Sequence, residues 1–399
     1  MQFKQYPSYK PSGVEWLGDV PEHWQIVRTK DIFNHRKEEA LEDDEIVTAF
    51  RDGQVTLRKN RRTDGFTNSI KEHGYQHINS GDLVIHEMDA FAGAIGVSDS
   101  SGKSTPVYSV CYAKNENINH HFYSHFFRTM AKTGFINSLA KGIRVRSTEF
   151  RWNESRNVYL VEPPKSDQQK IVAFLDTETT RIDNLIAKQE KLIELLEEQR
   201  KSIISHAVTK GLNPNAPMKD SGVEWLGKVP NDWNFSRLDA VSKIVRGNSA
   251  FSKMDLLESG KYVALQYGKT YKVNEINESF GSYVNQEFFK KSQITEFGDI
   301  ILISTSETLE DLGHSCFYAR HDVGLIGGEQ FLLKPKNQNF GKYIYYATKA
   351  FSSYLQRYAT GLKVFRFNLD DLKKIYIPDI SLVEQQKIAE FLDKETARI

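Results

Sequence analysis

The length, composition and charge of the chain limit what it can be. With 399 residues, of which 39% are hydrophobic and 12% aromatic, the chain has room for two or three domains that each bury a core. The formal net charge is only +1, which excludes a protein that is basic throughout. Binding to nucleic acid would therefore require locally gathered basic residues.

Cysteine usage and hydropathy favour a reducing compartment. Cys111 and Cys316 are the only cysteines, which excludes a disulfide framework and a zinc site built on thiolates. The first residues lack the apolar run of a signal peptide, and no stretch approaches the roughly 18 apolar residues of a membrane span. We therefore expect a cytoplasmic protein.

The chain is a tandem repeat. SGVEWLG at Ser12–Gly18, followed by a V-P-x-x-W pattern that ends at Trp24, returns at Ser221–Gly227 with the same pattern after it. At the far end of each half, QQKIVAFLD at Gln168–Asp176 returns as QQKIAEFLD at Gln385–Asp393. Seven identical residues in succession, one of them a tryptophan, do not arise by chance and indicate an internal duplication.

Between these repeats the two halves share only a weak frame. GDLVI at Gly81–Ile85 corresponds to GDIIL at Gly298–Leu302, and each predicts a turn followed by a buried strand. We expect an α+β fold with two similar domains in tandem. The interiors 51–64 and 247–272 diverge, which favours two modules that do one job on two different targets.

A long helix is predicted between the halves, over Ser166–His206. No proline or glycine interrupts the sequence from Lys165 to Gly211, and at 1.5 Å per residue the helix would be about 60 Å long. The pattern favours a coiled-coil-type spacer helix, although a long core helix of one large domain gives the same pattern. The apolar residues in heptad register, which would form a helix seam or docking surface, are Ile182, Leu185, Leu192, Leu196 and Ile203.

The predicted domain organisation follows from these elements. Residues 1–165 form a first α+β domain, 166–215 a central spacer helix that Gly211–Pro217 ends, and 216–381 a second α+β domain. Residues 382–399 form the start of a second long helix. Because Ile399 is the equivalent of Ile182, this helix is expected to be truncated at the C-terminus.

No catalytic constellation is predicted. Gly324–Gly328 lacks the Lys-Ser of a phosphate loop and is interpreted as a strand–turn element. Asp379 with Glu384 and Lys387 could suggest a nuclease, but the glutamate and lysine belong to a helix start, and the first half has Val161-Glu162 at the positions of Pro378-Asp379. The closest string to a methyltransferase motif, Glu162–Lys165, lacks the asparagine and the aromatic residue. We therefore predict no enzyme activity, no metal site and no cofactor in this chain.

Basic and amide side chains concentrate in the divergent interiors. Lysine and arginine neutralise phosphates, and arginine, asparagine and glutamine can form paired hydrogen bonds with guanine or adenine edges. Solvated surface charge remains the alternative for any single residue. The candidate DNA-binding residues are Arg51, Arg58, Lys59, Arg61, Arg62, Lys141, Arg144, Arg146 and Arg151 in the first half and Arg246, Asn248, Gln266, Lys269, Lys272, Lys363, Arg366 and Asn368 in the second.

These motifs together resemble the specificity subunits of type I DNA restriction–modification systems. The resemblance rests on the V-P-x-x-W entry at Val20–Trp24, the D-Q-Q-K-I-x-x-F-L-D segment at Asp167–Asp176, R-I-D-x-L-I at Arg181–Ile186 and the helix Lys188–Leu212. It covers the whole chain.

The resemblance implies a subunit without activity of its own. Each of two recognition domains would read one half of a split double-stranded DNA target, and two long antiparallel helices would hold them apart. Two modification subunits that methylate adenine at N6 with S-adenosylmethionine would dock on it, and ATP- and Mg-dependent motor–nuclease subunits would join them.

The C-terminus departs from this pattern because the second long helix is missing. We therefore expect the unpaired central helix to self-associate or to pair with a modification subunit, or the sequence to be incomplete. Two other classes stay open: a self-contained DNA methyltransferase or nuclease, and a coiled-coil scaffold that does not bind DNA.

Overall fold

The computed structural model describes residues 5–61, 73–139, 150–249, 251–336 and 341–399. The chain divides into two compact units, residues 1–186 and 187–399. Within the described residues, no helix has both the length and the apolar character needed to cross a bilayer.

The first unit contains mixed α and β structure. Its described helices are α1 (Thr29–Ile32), α2 (His120–Lys132), α3 (Phe135–Ser138), α4 (Trp152–Ser155) and the beginning of α5 (Lys165–Lys210). Its described strands are β1 (Tyr9–Pro11), β2 (Asp19–Pro21), β3 (Gln25–Arg28), β4 (Phe33–His35), β5 (Val47–Ala49), β6 (Val55–Leu57), β7 (Gln76–Ile78), β8 (Leu83–His86), β9 (Ile95–Val97), β10 (Gly102–Ser104), β11 (Tyr108–Ala113) and β12 (Tyr159–Glu162).

The second unit repeats this plan. Its described helices after α5 are α6 (Leu238–Val241), α7 (Tyr267–Thr270), α8 (Gly341–Leu355), α9 (Leu369–Lys373) and α10 (Leu382–Arg398). Its described strands are β13 (Met218–Asp220), β14 (Lys228–Pro230), β15 (Asn234–Arg237), β16 (Ser242–Arg246), β17 (Tyr262–Leu265), β18 (Glu275–Ile276), β19 (Tyr283–Val284), β20 (Ile294–Thr295), β21 (Ile300–Ile303), β22 (Thr305–Ser306), β23 (Ser315–Tyr318), β24 (Gly324–Ile326), β25 (Gln330–Pro335), β26 (Phe365–Arg366) and β27 (Tyr376–Asp379).

The main sheets of the two units have the same strand order. It is β4-β11-β8-β9 in the first unit and β16-β25-β21-β23 in the second, where β18 adds a fifth strand. In the first unit β8 pairs antiparallel with β11, and in the second β21 pairs antiparallel with β25. The prediction of two similar units with α and β structure is therefore confirmed.

The shared G-D turn shows why two weakly related strands fold alike. Gly81 and Gly298 both have φ +91°, a conformation that favours glycine. The aspartate that follows each glycine accepts a backbone hydrogen bond, Asp82 from Asn79 N and Asp299 from Glu296 N, both at 2.9 Å. The predicted turn-and-strand element is confirmed in both halves. This turn starts an inner strand of each main sheet, β8 or β21.

In each unit, a hydrogen bond from a tryptophan connects the two near-identical repeat segments. The indole N–H of Trp24 donates to Asp167 at 3.3 Å, and that of Trp233 donates to Glu384 at 3.1 Å. Asp167 and Glu384 stand in the first turns of α5 and α10. The contact therefore ties the start of each unit to the helix at its end, which explains why tryptophan and acid both recur.

Helix α5 extends over the predicted range Ser166–His206 and beyond it. Near its start Val172 packs in the core of the first unit, and near its end Ala207 and Val208 pack in the core of the second. From 181 to 195 every residue is exposed. Gly211, with φ +72°, donates its N–H to Ala207 O at 3.1 Å and ends the helix.

One member of the predicted seam has core contacts that the others lack. Ile182, Leu185 and Leu192 are exposed and Leu196 is half-buried, but Ile203 packs against the core of the second unit. The heptad pattern could not reveal this, because the neighbours of Ile203 lie far away in sequence. The predicted domain boundaries, the coiled-coil pairing and the truncation stay predictions.

We expect Trp233→Ala to lower the free energy of unfolding by about 3–5 kcal/mol, because Trp233 is only 2% exposed and its removal leaves a large cavity. Urea denaturation followed by far-UV circular dichroism measures the change. Trp24→Ala is the matched control, with a smaller expected loss, because Trp24 is only half-buried. An equal loss in both variants would contradict this account.

Candidate nucleic-acid interface

The first unit presents an open cavity at one end of its main sheet. The cavity has a volume of about 690 Å³, and β5 and its turn form one wall. His86 at the end of β8 and Tyr108 at the start of β11 form another part of the lining. Three of the predicted DNA-binding residues, Arg51, Arg58 and Arg61, line it.

Acidic partners hold two of these three arginines in place. Arg51 Nη2 donates to Asp89 at 2.9 Å. Arg61 Nη1 donates to Asp52 at 2.9 Å, and its guanidinium lies 4.3 Å from the centre of the Phe50 ring. The hydrogen bond from Arg61 lowers the pKa of Asp52, so that carboxylate stays charged. The first-unit surface is therefore ordered but partly neutralised.

Lys59 and Arg58, two of the predicted DNA-binding residues, also have defined partners. Lys59 forms an ion pair with Glu45. Arg58 Nε donates to Thr48 Oγ1 at 3.3 Å. The side chains are therefore oriented before any ligand binds.

Arg128 belongs to this surface, although the sequence analysis did not select it. It lies on α2, and a Cβ added to Gly53 would lie 2.5 Å from its Cζ atom. Its charge helps to lower the pKa of Asp52. Gly53 and Arg128 are 75 positions apart in the sequence, so no local pattern indicates this contact.

The remaining first-unit candidates are only partly described. Arg151 precedes α4, and the neighbouring Phe150 N–H donates to Glu87 O at 3.1 Å, next to His86. Arg151 is thus at the same end of the sheet as the cavity. Arg62, Lys141, Arg144 and Arg146 lie outside the described residues.

In the second unit a close backbone approach joins two candidate loops. A Cβ on Gly247 would lie 1.9 Å from Gly327 O, so only glycine allows this contact. Gly247 N–H donates to Gln330 O at 2.9 Å. Arg246 and Asn248, on either side of Gly247, are exposed. The glycine contact therefore fixes both at the end of the main sheet.

The buried side-chain amide of Gln330 connects the start of β25 to the segment that carries Gln266 and Lys269. Gln330 is 1% exposed; its Nε2 donates to Leu265 O at 2.8 Å, and its Oε1 accepts from Thr270 Oγ1 at 3.0 Å. Helix α7 lies between these two anchors and carries Lys269. A buried amide whose donors and acceptors are paired fixes geometry strongly.

The third candidate loop joins the same end of the sheet. Thr305 in β22 pairs with Arg366 in β26. Ser304 O accepts from Phe367 N at 3.3 Å, next to Arg366. Tyr267 on α7 forms a side-chain hydrogen bond with Ser306. The structure therefore gathers candidates that are over 100 residues apart in sequence onto one face.

Charge distinguishes this face from the first-unit surface. Among the described residues, no carboxylate forms an ion pair with the exposed candidate cations Arg246, Lys269, Lys272, Lys363 and Arg366. The Asn368 Oδ1 atom caps α9 by accepting from Asp370 N and Asp371 N at 2.9 and 3.0 Å. Only its N–H groups remain for a ligand.

Groups that suggested other chemistry have structural partners. Asp379 accepts from Ser236 Oγ at 2.6 Å, and Glu384 holds the Trp233 indole. Burial raises the pKa of Cys316 to about 12, which disfavours the reactive thiolate. Within the described ranges, no group of three or more His, Cys, Asp or Glu side chains could hold a metal ion. Gly324–Gly328 forms β24 and a turn, as predicted.

Comparisons with known proteins agree with this arrangement. A family model described as "Type I restriction modification DNA specificity domain" matches residues 21–197 and 230–399. The type I restriction enzyme MjaVIII specificity subunit of Methanocaldococcus jannaschii is 24% identical over 297 residues, which are 71% of this chain. The chain spans 64% of the length of that relative.

Two solved structures share the fold. One, from work on complex assembly and conformational transition of the type I R-M system, has a TM-score of 0.66 and 15% identity over 95% of this chain and 91% of its own. The HsdS subunit of Thermoanaerobacter tengcongensis has a TM-score of 0.52 and 16% identity, with the same coverage of each chain. At these identities the likeness concerns the fold.

We expect Gly247→Ala to lower the free energy of unfolding by about 1–3 kcal/mol, because the added methyl group would overlap the Gly327 carbonyl. Differential scanning calorimetry measures the loss. Gly328→Ala is the control, since a Cβ there meets no atom within 4 Å. Equal stability of the two variants would show that the contact does not position the loops.

Proposed function

Because the chain belongs to the family of type I restriction–modification DNA specificity domains, we propose that it is the non-catalytic subunit that reads a bipartite DNA target. Each unit would read one half-site. The observation that carries the proposal is that both units place cationic side chains at the same end of an equivalent sheet, and the second unit adds amide side chains there. Different side chains on one frame would read different sequences.

In the second unit, base reading would come from Arg246, Asn248 and Gln266. Arginine can donate two hydrogen bonds to guanine, and asparagine or glutamine can pair with adenine in the major groove. Lys269 and Lys272, both exposed, would neutralise phosphates. Phosphate contacts fix the position of the protein on the duplex, and base contacts determine which DNA sequence it recognises.

In the first unit, Arg51 and Arg61 would exchange acidic partners for DNA. Their ion pairs with Asp89 and Asp52 hold the guanidinium groups at the cavity in the free protein. Exposed ion pairs are weak, so a phosphate or a guanine edge can replace the carboxylate at small cost. Preorganised side chains lose less entropy on binding.

Helix α5 would set the distance between the half-sites and serve as a docking surface. Its exposed stretch carries Ile182, Leu185 and Leu192, with Ile186 and Ile193 beside them. We propose that a helix of a modification subunit covers this apolar surface. Self-association through α5 would be the competing outcome. S-adenosylmethionine, ATP and Mg would bind to the modification and motor–nuclease subunits.

We expect the Lys269→Ala, Lys272→Ala double variant to bind all duplex sequences more weakly. Each lost phosphate contact should reduce the slope of log affinity against log salt by about 0.9. Fluorescence anisotropy with labelled duplexes over a salt series gives this slope. Lys188→Ala, an exposed cation on α5 outside both faces, is the control. A salt slope that the double variant leaves unchanged would exclude both lysines from phosphate binding.

We expect the purified chain to transfer no methyl group, and the complex with its modification subunits to methylate a two-part sequence. Sequencing of methylated DNA identifies that sequence.

Insertion of four residues after Glu190, about 6 Å of helix, should lengthen the unread spacer and leave both half-sites unchanged. Methyl transfer by the chain alone would instead support a self-contained enzyme, and a spacer of unchanged length would refute the role of α5.

A further inference from the structure

Glu329 has a backbone conformation that its side chain disfavours. Among the described residues it is the only non-glycine residue with positive φ, at 62°. A side chain at such an angle crowds the backbone, and glycine would adopt it freely. Gly327 and Gly328 stand just before it, yet this position carries a carboxylate.

The surrounding contacts hold Glu329 at the end of the main sheet. Its carbonyl oxygen accepts from Ser304 N at 3.1 Å. The Gln330 side chain donates to Gly328 O at 3.3 Å. A Cβ added to Gly328 would meet no atom within 4 Å, so the loop borders open space. Glu329 itself is exposed.

The Glu329 carboxylate lies within the face that carries the second-unit candidates. Gly327 contacts Gly247, beside Arg246, and donates its N–H to Leu265 O at 2.9 Å, beside Gln266. Although exposed cations lie on this face, the carboxylate forms no hydrogen bond or ion pair with any described residue. Within the described residues the Glu329 carboxylate is therefore available to a ligand.

Val107 occupies the equivalent position in the first unit. Glu329 precedes β25 and Val107 precedes β11, the equivalent strand. Val107 O accepts from Glu87 N at 2.9 Å, as Glu329 O accepts from Ser304 N. Glu87 O accepts from Phe150 N at 3.1 Å, as Ser304 O accepts from Phe367 N at 3.3 Å. One frame thus presents a carboxylate in one unit and an apolar side chain, 37% exposed, in the other.

We propose that Glu329 is a specificity-determining residue that accepts a hydrogen bond from the N4 amino group of a cytosine in the second half-site. A carboxylate repels phosphate and only accepts hydrogen bonds, so it selects base edges that donate. Cytosine offers its N4 donor in the major groove, whereas adenine places the N7 acceptor beside its amino group. This inference rests on the proposed function.

The test uses the complex with its modification subunits and a library of randomised DNA duplexes. Wild-type protein should enrich a two-part sequence with a cytosine in the second half-site. Glu329→Gln keeps size and backbone but adds a donor, and glutamine pairs with adenine. In the Glu329→Gln variant, the preference for cytosine over adenine at that one position should fall about tenfold relative to wild-type protein. Glu329→Gly should lose the preference without gaining one for adenine, and thermal unfolding should show that it folds.

The controls separate this inference from the proposed function. Glu390→Gln, an exposed carboxylate on α10, should leave the enriched sequence unchanged. If wild-type protein enriches a two-part sequence that Glu329→Gln and Glu329→Gly leave unchanged, the inference is wrong and the proposed function stands. Tighter binding of Glu329→Gln to every duplex, with no change in preference, also overturns it. If wild-type protein enriches no sequence, the proposed function fails as well.

Discussion

The tryptophan–carboxylate contact at the ends of each unit is the constraint on which the rest of the structure depends. Trp24 with Asp167 and Trp233 with Glu384 join the start of a unit to the first turn of its final helix. The contact fixes both ends of the chain between them. The sequence of the intervening loops can therefore differ between the units while the strand order of the main sheet stays the same. Each unit therefore has a nearly identical frame around loops that differ between the two units.

Within this frame the two units prepare their candidate surfaces by different means. The first unit orients Arg51 and Arg61 with acidic partners, which fixes geometry and reduces net charge. The second unit uses a glycine contact between Gly247 and Gly327 and the buried amide of Gln330. Within the described residues, its exposed candidate cations, such as Arg246 and Lys269, form no ion pair. Backbone contacts can fix a loop without neutralising its charge, so a face built in this way keeps its full attraction for phosphate.

Sequence reasoning succeeded where the information was local or repeated. The G-D turns at Gly81 and Gly298 need a left-handed glycine and an aspartate that accepts from the backbone, and both needs show in adjacent residues. Reasoning from sequence did not reveal that Arg128 lies beside Gly53 or that Ile203 packs against the core of the second unit, because the partners of both are distant in the chain. It also selected Asn368 for its chemistry, whereas the amide oxygen is used as a helix cap.

The sequence by itself determined the duplication, the continuous central helix and the family, since each depends on the order or spacing of residues along the chain. Only the tertiary structure decided which candidates share one face, which cations have acidic partners and that Glu329 has a strained backbone. The physical reason is that these properties arise from contacts such as Gly247 with Gly327 and Thr270 with Gln330. Such contacts depend on how the sheet brings distant loops together, and no local pattern encodes them.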